Sequence, residues 1–106
     1  MMLITKEDEL KDLPFDTAAV IDICRSNDVE MVGVFGSMAR GEEAAHSDID
    51  LIVRFAKPKS LIGVIVLEQQ LTSALGREVD LLTDGALSPY LRERILHDLR
   101  VLYEAR

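Results

Sequence analysis

Three aspartates and one Gly-Ser pair carry the residue types that could do chemistry in this chain of 106 residues. Asp48 and Asp50 stand two apart in Ser47-Asp48-Ile49-Asp50-Leu51. At strand spacing both carboxylates project to one face while Ile49 packs on the other. Two such carboxylates repel, and a cation between them relieves the repulsion. Hard oxygen donors with room for water suit Mg²⁺ bridging to a phosphate. Asp80 lies between Val79 and Leu81, in the middle of an apolar run where an unpaired carboxylate is costly. If its strand neighbours that of Asp50, the three acids could hold two Mg²⁺ ions for an in-line phosphoryl displacement. Gly36-Ser37 follows Val32-Gly33-Val34-Phe35. A strand ending in Gly-Ser before a short helical stretch presents backbone N–H groups and a hydroxyl to an anion.

Each feature also has a plainer reading. Gly-Ser can be a turn with an N-cap. Ser47 and Asp48 can end a loop, with Asp50 on a solvated edge, and Asp80 can pair with Arg77 or Arg54. The apolar content of the strand around Ile52 weighs against a solvated Asp50.

The elements that must position these residues alternate helical patterns with short apolar runs, the mark of an α/β (α+β) architecture. Thr5, with Asp8 three residues on, could start a short helix to about Leu13. Helical spacing predicts a helix from Phe15 to Asn27, with Asn27-Asp28 stopping it. Strands are predicted at 29–35, 48–55 and 78–82. Ser60 caps a helix running to Leu75, with Gly76 at C′. Ser88-Pro89 opens a last helix to about Leu99. Residues 101–103 fit either a continuation of that helix or a short edge strand. Ile49, Leu51 and Val53 on one side of the second strand, and Ile52 on the other, mark it as central. The expected fold is a small mixed sheet of three to four strands covered by helices, with residues 1–106 as one domain.

Composition bounds the function. Twelve Lys plus Arg against 19 Asp plus Glu give a net charge of −7, which argues against broad attraction to nucleic acid or to an anionic membrane. One cysteine, Cys24, cannot make an internal disulfide, and the acidic N-terminal stretch lacks a signal-peptide pattern. A cytoplasmic location is the simplest expectation.

Gly36-Ser37, ten intervening residues, Asp48-x-Asp50 and a later strand aspartate, Asp80, together resemble the nucleotidyltransferase superfamily typified by DNA polymerase β. More narrowly, Phe35-Gly36-Ser37-Met38-Ala39-Arg40-Gly41 with Ser47-Asp48-Ile49-Asp50-Leu51 is similar to the minimal nucleotidyltransferases (MNT) of prokaryotic HEPN–MNT toxin–antitoxin pairs. Gly76-Arg77-x-Val79-Asp80-Leu81 and the stretch from Arg94-Ile95-Leu96 to Tyr103 also fit, so the resemblance covers nearly the whole chain. It implies a nucleotidyltransferase fold, Gly36 and Ser37 on the triphosphate of ATP, and Asp48 and Asp50 on Mg²⁺. Asp80 would complete the metal site and help deprotonate the acceptor. Arg40 would contact a phosphate or a protein partner, or simply serve as a cation closing a short helix. The activity implied is transfer of AMP from ATP to a tyrosine of a HEPN ribonuclease toxin, which silences it. Two alternatives are an antitoxin that neutralises by occlusion without chemistry and an adenylyltransferase acting on a small molecule.

Three further features invite attention. Arg92 and His97 stand as R-x₄-H, which resembles the motif of the HEPN toxins themselves, but strands through the middle of the chain oppose a helical bundle. The two are expected to be solvated, beside an apolar face of Leu91, Ile95 and Leu99. His46 precedes Asp48 and is expected to be incidental, and Cys24 to be a small core residue. The helix opening Leu61-Ile62-Gly63-Val64-Ile65-Val66-Leu67 is apolar nearly all round, a departure from the family pattern that implies either deep burial or a partner surface. The short chain can bury few helices on every side, which favours a homo- or hetero-oligomeric interface.

Overall fold

The computed structural model describes residues 13–41 and 48–105. In chain order the elements are α1 (Thr17–Ser26), β1 (Val29–Phe35), α2 (Ser37–Arg40), β2 (Ile49–Phe55), α3 (Leu61–Leu75), β3 (Val79–Thr83), α4 (Pro89–Asp98) and β4 (Arg100–Glu104). A 3-10 turn, Asp84–Ala86, joins β3 to α4. The expected helix from Thr5 falls almost wholly outside the described residues, as does His46.

Capping side chains set the helix starts. Asp16 accepts a hydrogen bond from the Ala19 N–H at 3.1 Å, so α1 begins at Thr17 rather than at Phe15. Ser60 accepts from the Gly63 N–H at 3.1 Å and Ser88 from the Leu91 N–H at 3.2 Å, placing α3 and α4 as expected. Gly76 takes the left-handed conformation at φ 67° and donates to the Thr72 carbonyl, ending α3. The open choice at the C-terminus resolves as strand. Leu99 is extended, and it turns the chain from α4 directly into β4.

The strand order is β3-β2-β1-β4. β1 pairs antiparallel with both β2 and β4, and β2 pairs parallel with β3 across α3, giving a mixed sheet. Residue alternation divides its two faces. Ile49, Leu51 and Val53 of β2 join Val32 and Val34 of β1, Val79 and Leu81 of β3, and Val20, Cys24, Leu67 and Leu71 of α1 and α3 in the main core. Val20 with Cys24 and Leu67 with Leu71 are i, i+4 pairs, the buried stripes of their helices. On the second face Met31, Ile52, Val101 and the α4 residue Ile95 are buried outside that cluster. Gly33 keeps this face open for the chain leaving α4, since a Cβ there would lie 2.5 Å from Leu99 Cδ1.

β3 is an outer strand, and α3 protects its edge. The Val79 and Leu81 N–H groups donate to Thr72 Oγ1 at 3.2 Å and Glu68 Oε2 at 3.3 Å. Two donors that would otherwise template a foreign strand are thereby occupied.

Candidate active site

The register of three strands builds the site. Phe35 stands opposite Asp50 in the antiparallel β1–β2 pair, and Asp50 stands opposite Asp80 in the parallel β2–β3 pair. One transverse row therefore carries the end of β1 and two carboxylates, on the same face as α4. Gly36 follows Phe35 at φ 75°, a left-handed conformation that turns the chain out of β1 into α2. A Cβ at this position would meet Asp50 Oδ2 at 2.5 Å, so the turn packs backbone against carboxylate. Ser37 opens α2, but its side chain lies outside the described residues.

Burial pushes the Asp50 carboxyl above the ordinary carboxylate range. The charges of Asp80 and Asp48 push the same way, while Arg40 opposes them, and a hydrogen bond with Asp80 holds the proton on Asp50. Asp48 is exposed and precedes β2, and it acts on Asp50 through its charge. Thus Asp50 and Asp80 come together directly and Asp48 joins them at longer range. Among the described residues no three acidic, histidine or cysteine side chains form a ready-made metal cage. The donor chemistry nonetheless fits a hard divalent cation. All three groups are carboxylates, and their mutual repulsion at Asp50 is what such a cation offsets.

Asp80 departs from its expected burial. It is exposed, the second residue of β3, so solvent rather than a partner satisfies much of its carboxylate. Arg54, one suggested partner, instead bonds Glu30 at 3.0 Å and Glu104 at 3.1 Å. Arg40 closes α2 and its Nη1 lies 2.7 Å from Asp98 Oδ2 at the end of α4. This ion pair ties the turn after β1 to the last helix.

A cavity of about 220 Å³ lies between these two elements. Phe35, Leu91 and Ile95 form its apolar wall, and Gly36, Arg40, Arg94 and Asp98 its polar side. Arg94 and Asp98 were missed as site residues by sequence reasoning. The available signal was the spacing 91, 94, 95, 98, one continuous helix face. Of the expected apolar face of α4 only Ile95 is buried, because Leu91 borders this cavity and is 40% exposed. Arg92 ion-pairs with Asp84 at 3.3 Å and His97 is largely exposed, so R-x₄-H forms no site. Cys24 is buried, as expected, and desolvation raises its thiol pKa to about 12.

Comparison with known proteins agrees with this fold. The model of the polymerase beta nucleotidyltransferase family matches residues 18–106. A Methanocaldococcus jannaschii protein provisionally named a protein adenylyltransferase is 40% identical over 79 residues, 74% of this chain and 85% of that one. A toxin–antitoxin crystal structure with AMP-PNP superposes with a TM-score of 0.78 at 28% identity, covering 86% of this chain and 75% of that one. A structure of a tri-AMPylated Shewanella oneidensis HEPN toxin with its MNT antitoxin gives 0.68 at 26% identity, with coverage of 84% and 70%. A Gly-Ser turn whose glycine packs on the Asp50 carboxylate, on a four-stranded mixed sheet, and a family match through nearly all of the described residues lead to one conclusion: the chain belongs to the polymerase beta nucleotidyltransferase family.

Proposed function

We propose that the protein is an antitoxin that transfers AMP from Mg²⁺-ATP to a tyrosine hydroxyl of a HEPN-domain toxin. The observation that carries this reading is the row in which the Gly36 turn packs against Asp50, with Asp80 beside it. Backbone without a side chain packs there on one carboxylate that has a second beside it in the sheet, which suits a polyphosphate held next to a cation. The modified HEPN toxin in complex with an MNT antitoxin supports the choice of acceptor.

Gly36 and Ser37 hold the triphosphate, with Arg40 beside them. Asp48, Asp50 and Asp80 hold Mg²⁺, two ions in the full site. Bound there, the metal supplies charge neutralisation of the phosphates and of the acids around Asp50. The tyrosine oxygen attacks the α-phosphorus, the bond from that phosphorus to the oxygen bridging to the β-phosphate breaks, and pyrophosphate leaves. Asp80, exposed on β3 beside Asp50, accepts the phenolic proton. AMP is then esterified to the acceptor.

Occlusion without chemistry is a second reading, favoured by one observation. Leu61, Ile62, Ile65 and Val66 of α3 are exposed, the first two by 75% and 73%, and offer an apolar surface away from the carboxylates. Labelled ATP with Mg²⁺ and the cognate toxin separates the two. Transfer of label to the toxin, lost in Asp48→Asn and Asp80→Asn together with neutralisation, is expected. Neutralisation by wild type without labelling, and equally by both variants, would establish occlusion instead.

A further inference from the structure

The geometry points to Arg94 as the cation that binds the terminal phosphates of the nucleotide and the pyrophosphate they become. This rests on the nucleotidyl-transfer reading and deepens it at the same site. Arg40 and Arg94 both border the cavity beside Gly36, but their charges differ in availability. Arg40 is held by Asp98 at 2.7 Å. Arg94 has no carboxylate partner among the described residues, and the contact its guanidinium makes is with the Tyr90 ring, 5.9 Å to the centroid. In a chain of net charge −7, an uncompensated guanidinium beside a side-chain-free turn is matched to an anion.

The alternative occupant is the acceptor phenol, which the apolar wall of Phe35, Leu91 and Ile95 would also accept. A neutral phenol leaves the Arg94 charge unmatched, whereas a phosphate accepts the planar fork of a guanidinium in two parallel hydrogen bonds. The side of the cavity nearest Gly36 therefore takes the polyphosphate end of the nucleotide. Arg94 assists departure of pyrophosphate by neutralising the charge that accumulates on it.

The test compares affinities for Mg²⁺-ATP and for AMP by calorimetry in wild type, Arg94→Ala and Arg94→Lys, with melting temperatures as a check on folding. Arg94 is exposed, so both variants are expected to melt like wild type. Arg94→Ala should weaken Mg²⁺-ATP by about tenfold or more and leave AMP unchanged, with Lys restoring part of the loss. Unchanged ATP affinity, or equal losses for ATP and AMP, would overturn the assignment. Unchanged ATP affinity with a raised KM for the acceptor would overturn it in favour of the phenol. Failure of wild type to bind Mg²⁺-ATP at all would instead remove the nucleotidyl-transfer reading itself.

Discussion

Gly36 and Asp50 are packed so that residue 36 cannot carry a side chain: its Cβ would stand 2.5 Å from Asp50 Oδ2. The backbone there is also left-handed, at φ 75°. Gly36→Ala thus adds backbone strain of about 1–2 kcal/mol to a steric conflict with a carboxylate central to the site. The expected result is a lower melting temperature together with loss of nucleotidyl transfer. Retention of both would show that the turn and the carboxylate can separate without consequence.

Asp50 carries a cost to stability at neutral pH. Burial first, then the charges of Asp80 and Asp48, raise its carboxyl above the ordinary range. The folded state therefore binds this proton more tightly than the unfolded state. Its contribution is favourable at low pH and is lost as pH rises through the raised value. Asp50→Asn removes that loss. In metal-free buffer the variant should melt above wild type at neutral pH, by on the order of a few degrees. The gap should close on acidification. Denaturation scans across pH in the presence of a chelator measure it.

Mg²⁺-ATP should reverse that ranking. A ligand that binds only the folded state, at 100 times its Kd, adds about 2.7 kcal/mol of stability. Wild type should gain a clear increase in melting temperature, whereas Asp48→Asn and Asp50→Asn should gain much less. Equal increases in all three proteins would place the nucleotide elsewhere.

Glu68 is the one charged residue of α3, and its carboxylate accepts from the Leu81 N–H at 3.3 Å on the outer side of β3. Glu68→Ala leaves that part-buried donor without its partner, at about 1–3 kcal/mol. It also reopens part of the sheet edge. Lower stability with greater concentration-dependent association is expected, measured by denaturant titration and light scattering. Thr72 still covers Val79, so Thr72→Val combined with Glu68→Ala should associate further.

Cys24 should be inert in the folded protein. It is fully buried, and desolvation lifts its thiol to about 12 from an ordinary 9.0. At neutral pH almost no thiolate exists to react. Alkylation under native conditions should proceed only as fast as the chain opens, and immediate modification would contradict the packing of α1 on the sheet.

The candidate-site residues were legible in the sequence because their signals are local. Gly36-Ser37 after a β-branched run, and two aspartates two apart, fix a turn and a common face by backbone geometry alone. The capping serines Ser60 and Ser88 set helix starts for the same reason, since a cap reaches N–H groups only two or three residues away. What the sequence left open was decided by pairing across the sheet. The strand identity of 100–104 depends on β1 offering its second edge, a partner more than sixty residues earlier in the chain. Asp50 and Asp80 share a row only because β2 and β3 run parallel in that register, which no local pattern encodes. The sequence singled out Arg40 as the phosphate-contacting cation and passed over Arg94, whereas tertiary packing brought Asp98 to Arg40 and placed Arg94 on the Gly36 cavity. Residue types and spacings determined which groups could bind a metal and a phosphate. The fold decided which of them meet, because charge pairing and burial are properties of neighbours in space.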